Sequence, residues 1–332
     1  MNKKILWIEN LKGLTILAVV LGHIATPLTG LIYSWHIPAF FFLSGFFINN
    51  NRSMPESVKK ESKRLFLPFL IFGCVGLMME LIKRNVFSGF EFAVTDFSLI
   101  KEFQGLFFWM DYAHMHQYGF VLWFLAALFW GKLILQFILA YIKNIALVGL
   151  ICLLLFLTLA NQNFILPFAL DKGLFSLVWL FGGYLFYNYC IKEEKLGLNK
   201  YFILIAAVLL AVLPVSTTDI AVKVAPIPLA SLLYGFSIIA LLVAIFRTFG
   251  DKYLNNSFFE SWGKNSLIIL ILHPYTNNIG YVIAKKFFSG SWSVNFIISV
   301  IILMMLLLSI RYAKNTLKNS RFAYRFQSAG TN

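Results

Sequence analysis

Stretches of about twenty apolar residues recur along this chain from its first turn to about residue 310, and they leave few folds open. A bilayer offers no water to unpaired N–H and C=O groups, so a chain that enters it repeatedly must close its backbone hydrogen bonds within helices or in a sealed barrel. The runs are continuous rather than alternating, which selects helices. Hydrophobic residues form 60% of the sequence and charged ones 13%. That is half the ~25% carried by a soluble domain, too little to cover a water-facing surface. The expected fold is an all-α integral membrane protein, a single bundle of about ten transmembrane helices.

The spans are expected near residues 11–31, 33–48, 65–82, 119–142, 145–160, 173–191, 201–217, 227–246, 265–284 and 292–310. The second is the weakest, because Pro38 and Gly45 interrupt it, and a broken helix survives in lipid only when neighbours cover it. Lys3 and Lys4 ahead of an apolar run resemble a secretory leader, yet apolar segments continue to the far end, so the first run reads as a retained span. Residues 1–332 read as one domain, ending in a basic tail at 311–332.

A net charge of +14 raises the question of nucleic acid, but the cations cluster between apolar runs, the pattern of cytoplasmic membrane loops. With the amino terminus inside, twenty of the 28 Lys and Arg fall on inner segments and seven on outer ones, Lys172 and Lys223 among the latter. Both termini are therefore expected on the cytoplasmic side of the membrane, with membrane lipid as the solvent partner and no nucleic acid. Lys132 falls inside the fourth span. The stretch 83–118, rich in Phe and ending in His114 and His116, reads as an outer segment that lies at the interface or faces substrate. Cys74, Cys152 and Cys190 lie in apolar runs without ligand spacing, so they read as core residues, and no metal site is expected.

Ionisable groups are rare within spans because each charge costs at least ~2.5–3.5 kcal/mol at the bilayer centre. Lipid-facing positions are therefore excluded for His23, His36 and His273, while packing roles stay open. Eleven positions separate Lys12 from His23, just over three helical turns, so both project from nearly one face about 16 Å apart. That suits a long donor held by its anionic end at the cytoplasmic rim while its reactive end reaches a buried imidazole. Glu9, one turn before Lys12, can orient it.

The runs Glu9–Gly13 and Val19–His23 resemble the basic-residue–ten–His signature of the membrane-bound acyltransferase 3 family. Trp35–Gly45, Lys63–Phe69, Leu122–Leu125 and Gly263–His273 resemble four further segments of that family, in its order, across about residues 7–285. The nearest subgroup is similar to fucose 4-O-acetylase-like proteins and polysaccharide O-acetyltransferases. The resemblance implies acetyl-CoA or another acyl-CoA as co-substrate, no bound cofactor, and a glycan or lipid-linked oligosaccharide as acceptor. It also implies that His23 is essential and that Lys12 stands for the family's usual Arg. Ala126 and Leu270 depart from the family's Pro and Tyr.

The expected site then has His23 as base or as covalent acyl carrier. Lys12, Glu9, Lys63 and Arg64 serve the donor; His36, Ser44, Trp123, Asn265, Ser266 and His273 line the acceptor path or meet the oxyanion. Two other classes remain beside this one. A transporter or flippase for a lipid-linked sugar or small solute fits the spans, although no paired repeat is visible. A glycan polymerase fits less well, since only 83–118 offers a large outer segment.

Overall fold

The computed structural model describes residues 6–86, 98–110, 120–192, 200–249 and 257–329. Helices α1 (Leu6–Gly22), α2 (Thr29–Tyr33) and α3 (His36–Gly45) come first. A continuous rod follows: α4 (Met54–Glu61), a π turn (Ser62–Phe66) and α5 (Leu67–Val86). Next are α6 (Leu99–Gln104), α7 (Trp123–Tyr141), α8 (Ile145–Leu159), α9 (Leu170–Phe175) and α10 (Leu177–Leu185). The series ends with α11 (Lys200–Val212), α12 (Pro228–Phe249), α13 (Ser257–Lys264), α14 (Ser266–Phe287) and α15 (Trp292–Ala329). Among the described residues the one strand-like pairing is a bridge between Asp219 and Val224.

Among the described residues, five helices are long and apolar enough to cross a bilayer: Met54–Met79, Trp123–Tyr141, Pro228–Phe249, Ser266–Phe287 and Trp292–Thr316. A sixth crossing exists if Pro167–Phe175 and Leu177–Lys192, bent by 52°, form one broken span. The expectation of ten is thus not met by length alone. The segment expected at 33–48 is the ten-residue α3, about 15 Å of helix against roughly 30 Å of hydrocarbon. It survives because every residue of it but Ser44 is buried by neighbours. The run expected at 11–31 breaks at Gly22, and Ile145–Leu159 and Lys200–Val212 are apolar but short. The stretch read as a basic tail continues α15 as helix to Ala329.

Helix α1 sits at the centre, in contact with α3, α12, α13 and α14. Glycines set how near its partners come. A methyl at Gly13 would collide with the carbonyl of Phe259 on α13, and one at Gly263 with the carbonyl of Glu9. Gly45 of α3 and Gly183 of α10 meet in the same reciprocal way, each abutting a backbone carbonyl of the other helix. Such small-residue seams bring helices together where no hydrophobic force separates protein from lipid. The outer helices show the opposite face. Leu67, Ile71, Val75, Met78 and Ile82 form an exposed stripe along α5, and Ile297, Ile301, Met304 and Leu308 one along α15. Spacings of three and four place each set on one side, a surface suited to lipid.

Of the 83–118 stretch, Leu99–Trp109 is helical and packs Phe107 against Phe69 and Phe108 against Phe168. His114, His116 and several of its other aromatics lie outside the described residues.

Candidate active site

Three histidines converge at one end of α1. His23 follows directly after Gly22, where the helix stops and its last carbonyls lose their intrahelical partners. The Val19 carbonyl accepts both the His23 backbone N–H (3.2 Å) and ring Nδ1 (2.9 Å), and the Val20 carbonyl accepts from Asn277 Nδ2 (3.0 Å). His23 is therefore the C-terminal cap of α1 rather than a mid-helix residue. His36, at the start of α3, donates Nδ1 to the Ile32 carbonyl at 2.7 Å.

His273 shows why its position is fixed. Pro274 follows it inside α14 and has no N–H to give the carbonyl four residues back, that of Leu270. The His273 ring fills that vacancy, Nδ1 donating to Leu270 O at 2.8 Å. A carbonyl can only accept, so in all three neutral rings Nδ1 carries the proton and Nε2 the lone pair. The rings cluster: His23 lies 4.9 Å from His273 and 6.5 Å from His36, centroid to centroid, and Tyr33 lies 4.9 Å from His36. His36 and His273 are buried with Nε2 unpartnered. As neutral acceptors they suit hydroxyl binding better than stabilisation of an oxyanion, which needs donors. Three neighbouring imidazoles suggest a metal, but among the described residues no three His, Cys, Asp or Glu side chains are placed to hold one.

Two openings flank this end and the middle of α1. A cavity of about 140 Å³ is lined by Lys12, Ser44, Arg64, Phe124, Ser266 and Leu270, with Ile37 among its apolar walls. Lys12 is held by Glu9 at 3.0 Å, one turn earlier on α1. Arg64 reaches the cavity from the π turn, its guanidinium 6.0 Å from the Phe47 ring. The same turn leaves Lys63 exposed and away from the cavity lining.

The second opening is a cleft of about 20 Å³ lined by His23, Tyr33, His36, Trp123, Thr218 and Asp219. Ile37, Phe124 and Leu270 line both openings and form the partition between them. Lys12 and His23 thus mark two chambers on opposite sides of one apolar wall. Ser44 and Ser266 fall on the Lys12 side and Trp123 on the His23 side. Asn265 lies in neither; it bonds to the Ser261 carbonyl at 2.8 Å and faces a groove with Arg311 and Lys314.

Several polar groups here carry no sequence signal. Thr218 and Asp219 sit in the 218–225 hairpin, which reads as an ordinary connection between two apolar helices. Burial pushes the Asp219 carboxyl up from its ordinary value, opposed by the N–H groups of Ala221 and Val222. The hairpin is clamped from behind. Asn161 bonds to Ala225 through both ends of its amide (2.8 and 3.0 Å), and Lys223 reaches the Phe164 carbonyl (2.6 Å) and the Asp171 carboxylate. Lys172 and Lys223, counted from sequence as outer-loop charges, are both buried beside Asp171. Near the Lys12 chamber, Glu61 at the end of α4 holds Lys132 of α7 at 2.9 Å, both nearly enclosed.

A family model described as an acyltransferase domain, Acyl_transf_3, matches residues 5–313. No curated protein and no solved structure gives a significant match.

Proposed function

The chain belongs to the acyltransferase 3 family, and from that premise we propose that it is a membrane O-acyltransferase moving acetyl from cytoplasmic acetyl-CoA to a hydroxyl of an extracytoplasmic or lipid-linked glycan. The observation that carries the reading is the pair of chambers on either side of Ile37, Phe124 and Leu270, one holding Lys12 and Arg64, the other His23. The first offers two cations to the phosphates of a coenzyme A tail. The second offers an imidazole whose Nε2 lone pair is set by the Nδ1 bond to Val19. The thioester crosses the apolar partition to meet it. In this reading the Lys12 end faces the cytoplasm, the bundle crosses ten times with short and broken helices completing the set, and both termini lie inside.

His23 Nε2 takes the proton from the acceptor hydroxyl as its oxygen attacks the thioester carbonyl carbon. The C–S bond breaks, and the leaving thiolate recovers that proton from the imidazolium, giving free coenzyme A and the ester. The C-terminal end of α1 favours the transient positive ring, since the carbonyls of its last turn carry partial negative charge and that of Val19 meets the ring directly.

A transfer assay on full-length protein in proteoliposomes tests this. His23→Ala is expected to lower kcat by about 10²–10⁴-fold, the range for loss of a general base, at normal expression. Lys12→Ala is expected to raise the KM for acetyl-CoA with kcat nearly kept. Full activity of the His23 variant removes the mechanism, and glycan movement without acetyl transfer identifies a transporter instead.

A further inference from the structure

The cleft beside His23 has chemistry that the acyl-transfer step does not use. Thr218 is 1% exposed, lines the cleft, and its Oγ1 has no hydrogen-bond partner. A buried hydroxyl without a partner costs about 1–3 kcal/mol, so such a group marks a place where a ligand atom is expected. His36 Nε2 is a second buried polar atom on the same cleft with its bonding capacity unmet. Asp219, next in sequence, brings a carboxylate to the same lining. The backbone holds these groups in register with the histidines: Thr218 N–H donates to the Tyr33 carbonyl at 3.2 Å, and Asp219 pairs with Val224 in both directions (2.8 and 2.9 Å).

We propose that Thr218 and Asp219, with His36 and Tyr33 beside them, form the acceptor subsite, and that it selects the vicinal hydroxyls of an uncharged sugar. The inference rests on the acyltransferase reading and adds the class of acceptor. One hydroxyl of the pair meets His23. Its neighbour bonds to Thr218 Oγ1 and the Asp219 carboxylate, which fixes the reacting oxygen against the imidazole. A space of about 20 Å³ admits a hydroxyl-sized group rather than a whole ring, so the sugar presents an edge. Among the described residues lining the cleft there is no Lys or Arg, and Lys223 is turned away to Asp171. A carboxylate without a cation beside it repels an anionic acceptor and favours a neutral donor of hydrogen bonds.

Full-length protein in proteoliposomes, given radiolabelled acetyl-CoA, is offered methyl β-D-galactopyranoside and methyl β-D-glucuronide as acceptors. The neutral glycoside is expected to be used with kcat/KM about tenfold or more above the uronide. Thr218→Val and Asp219→Asn are each expected to raise its KM by about tenfold, the loss of one good hydrogen bond. The KM for acetyl-CoA stays within about twofold. Asp219→Asn also narrows the gap between the two acceptors, a change that a merely loosened fold does not produce. Equal use of both acceptors, an unchanged acceptor KM in both variants, or a parallel rise in donor KM overturns the subsite. Acetyl-CoA cleavage without transfer to the neutral glycoside overturns it too and leaves the acyltransferase reading standing. Absence of both cleavage and transfer brings down the two together.

Discussion

At the scale of single residues, the site is built on backbone carbonyls that take histidine ring N–H groups. His273 fills the vacancy left by the N–H that Pro274 lacks, and His23 adds a second donor to the Val19 carbonyl at the end of α1. The arrangement binds ring orientation and proton position to the fold, which a surface histidine lacks. Pro274→Ala tests this directly. An alanine N–H competes with the His273 ring for the Leu270 carbonyl, so the helix gains a bond while the hold on the ring weakens. The expected outcome is a thermal midpoint in detergent equal to or above wild type, together with a reduced kcat. Unchanged kcat would show that the ring's orientation is irrelevant to transfer. His23, His36 and His273 are legible in the sequence because an imidazole inside an apolar run is conspicuous. Asp219 is not, because a carboxylate in a connection between two spans looks ordinary.

At the scale of elements, the rod from α4 to α5 shows how a helix delivers a side chain by a local irregularity. The π turn at Ser62–Phe66 widens the helix by one residue, and Arg64 lines the Lys12 chamber while Lys63 does not. Glu61, just before the turn, ties the rod to α7 through Lys132, with side chains 5% and 6% exposed. Removing one partner of such a pair leaves an isolated buried charge at a cost of roughly 3–5 kcal/mol, whereas replacing both with apolar residues costs far less. Glu61→Gln is therefore expected to lower thermal stability in detergent more than the double variant Glu61→Leu/Lys132→Met. The reverse order would show that Lys132 is solvated by other means. In the sequence Lys132 stands out as a cation within a span, but its partner lies 71 positions earlier in a segment that reads as an ordinary polar loop.

At the scale of the whole molecule, α5 and α15 carry exposed apolar stripes, while His23, His36 and His273 come together where α1 meets α3 and α14. The proposed orientation makes a simple labelling prediction in a background with Cys74, Cys152 and Cys190 replaced by Ser. Val215→Cys, 58% exposed near the His23 cleft, is expected to react with a membrane-impermeant maleimide in intact cells. Lys143→Cys, exposed between α7 and α8, is expected to react only after the membrane is opened. The opposite pattern inverts the bundle and places the Lys12 chamber away from cytoplasmic acyl-CoA.

Apolar run length and helical spacing are local properties, and the amino-acid order alone determines what they govern: helices throughout the described residues and the approximate starts of most of those after residue 119. Contacts between distant segments are not local. That α3 lies buried at half the needed length, that Ile37, Phe124 and Leu270 divide two chambers, and that Thr218 and Asp219 meet a histidine almost 200 positions earlier follow from packing alone. Hydropathy ranks residues by their dislike of water, and it is silent about which neighbour replaces that water. Only the assembled bundle decides that.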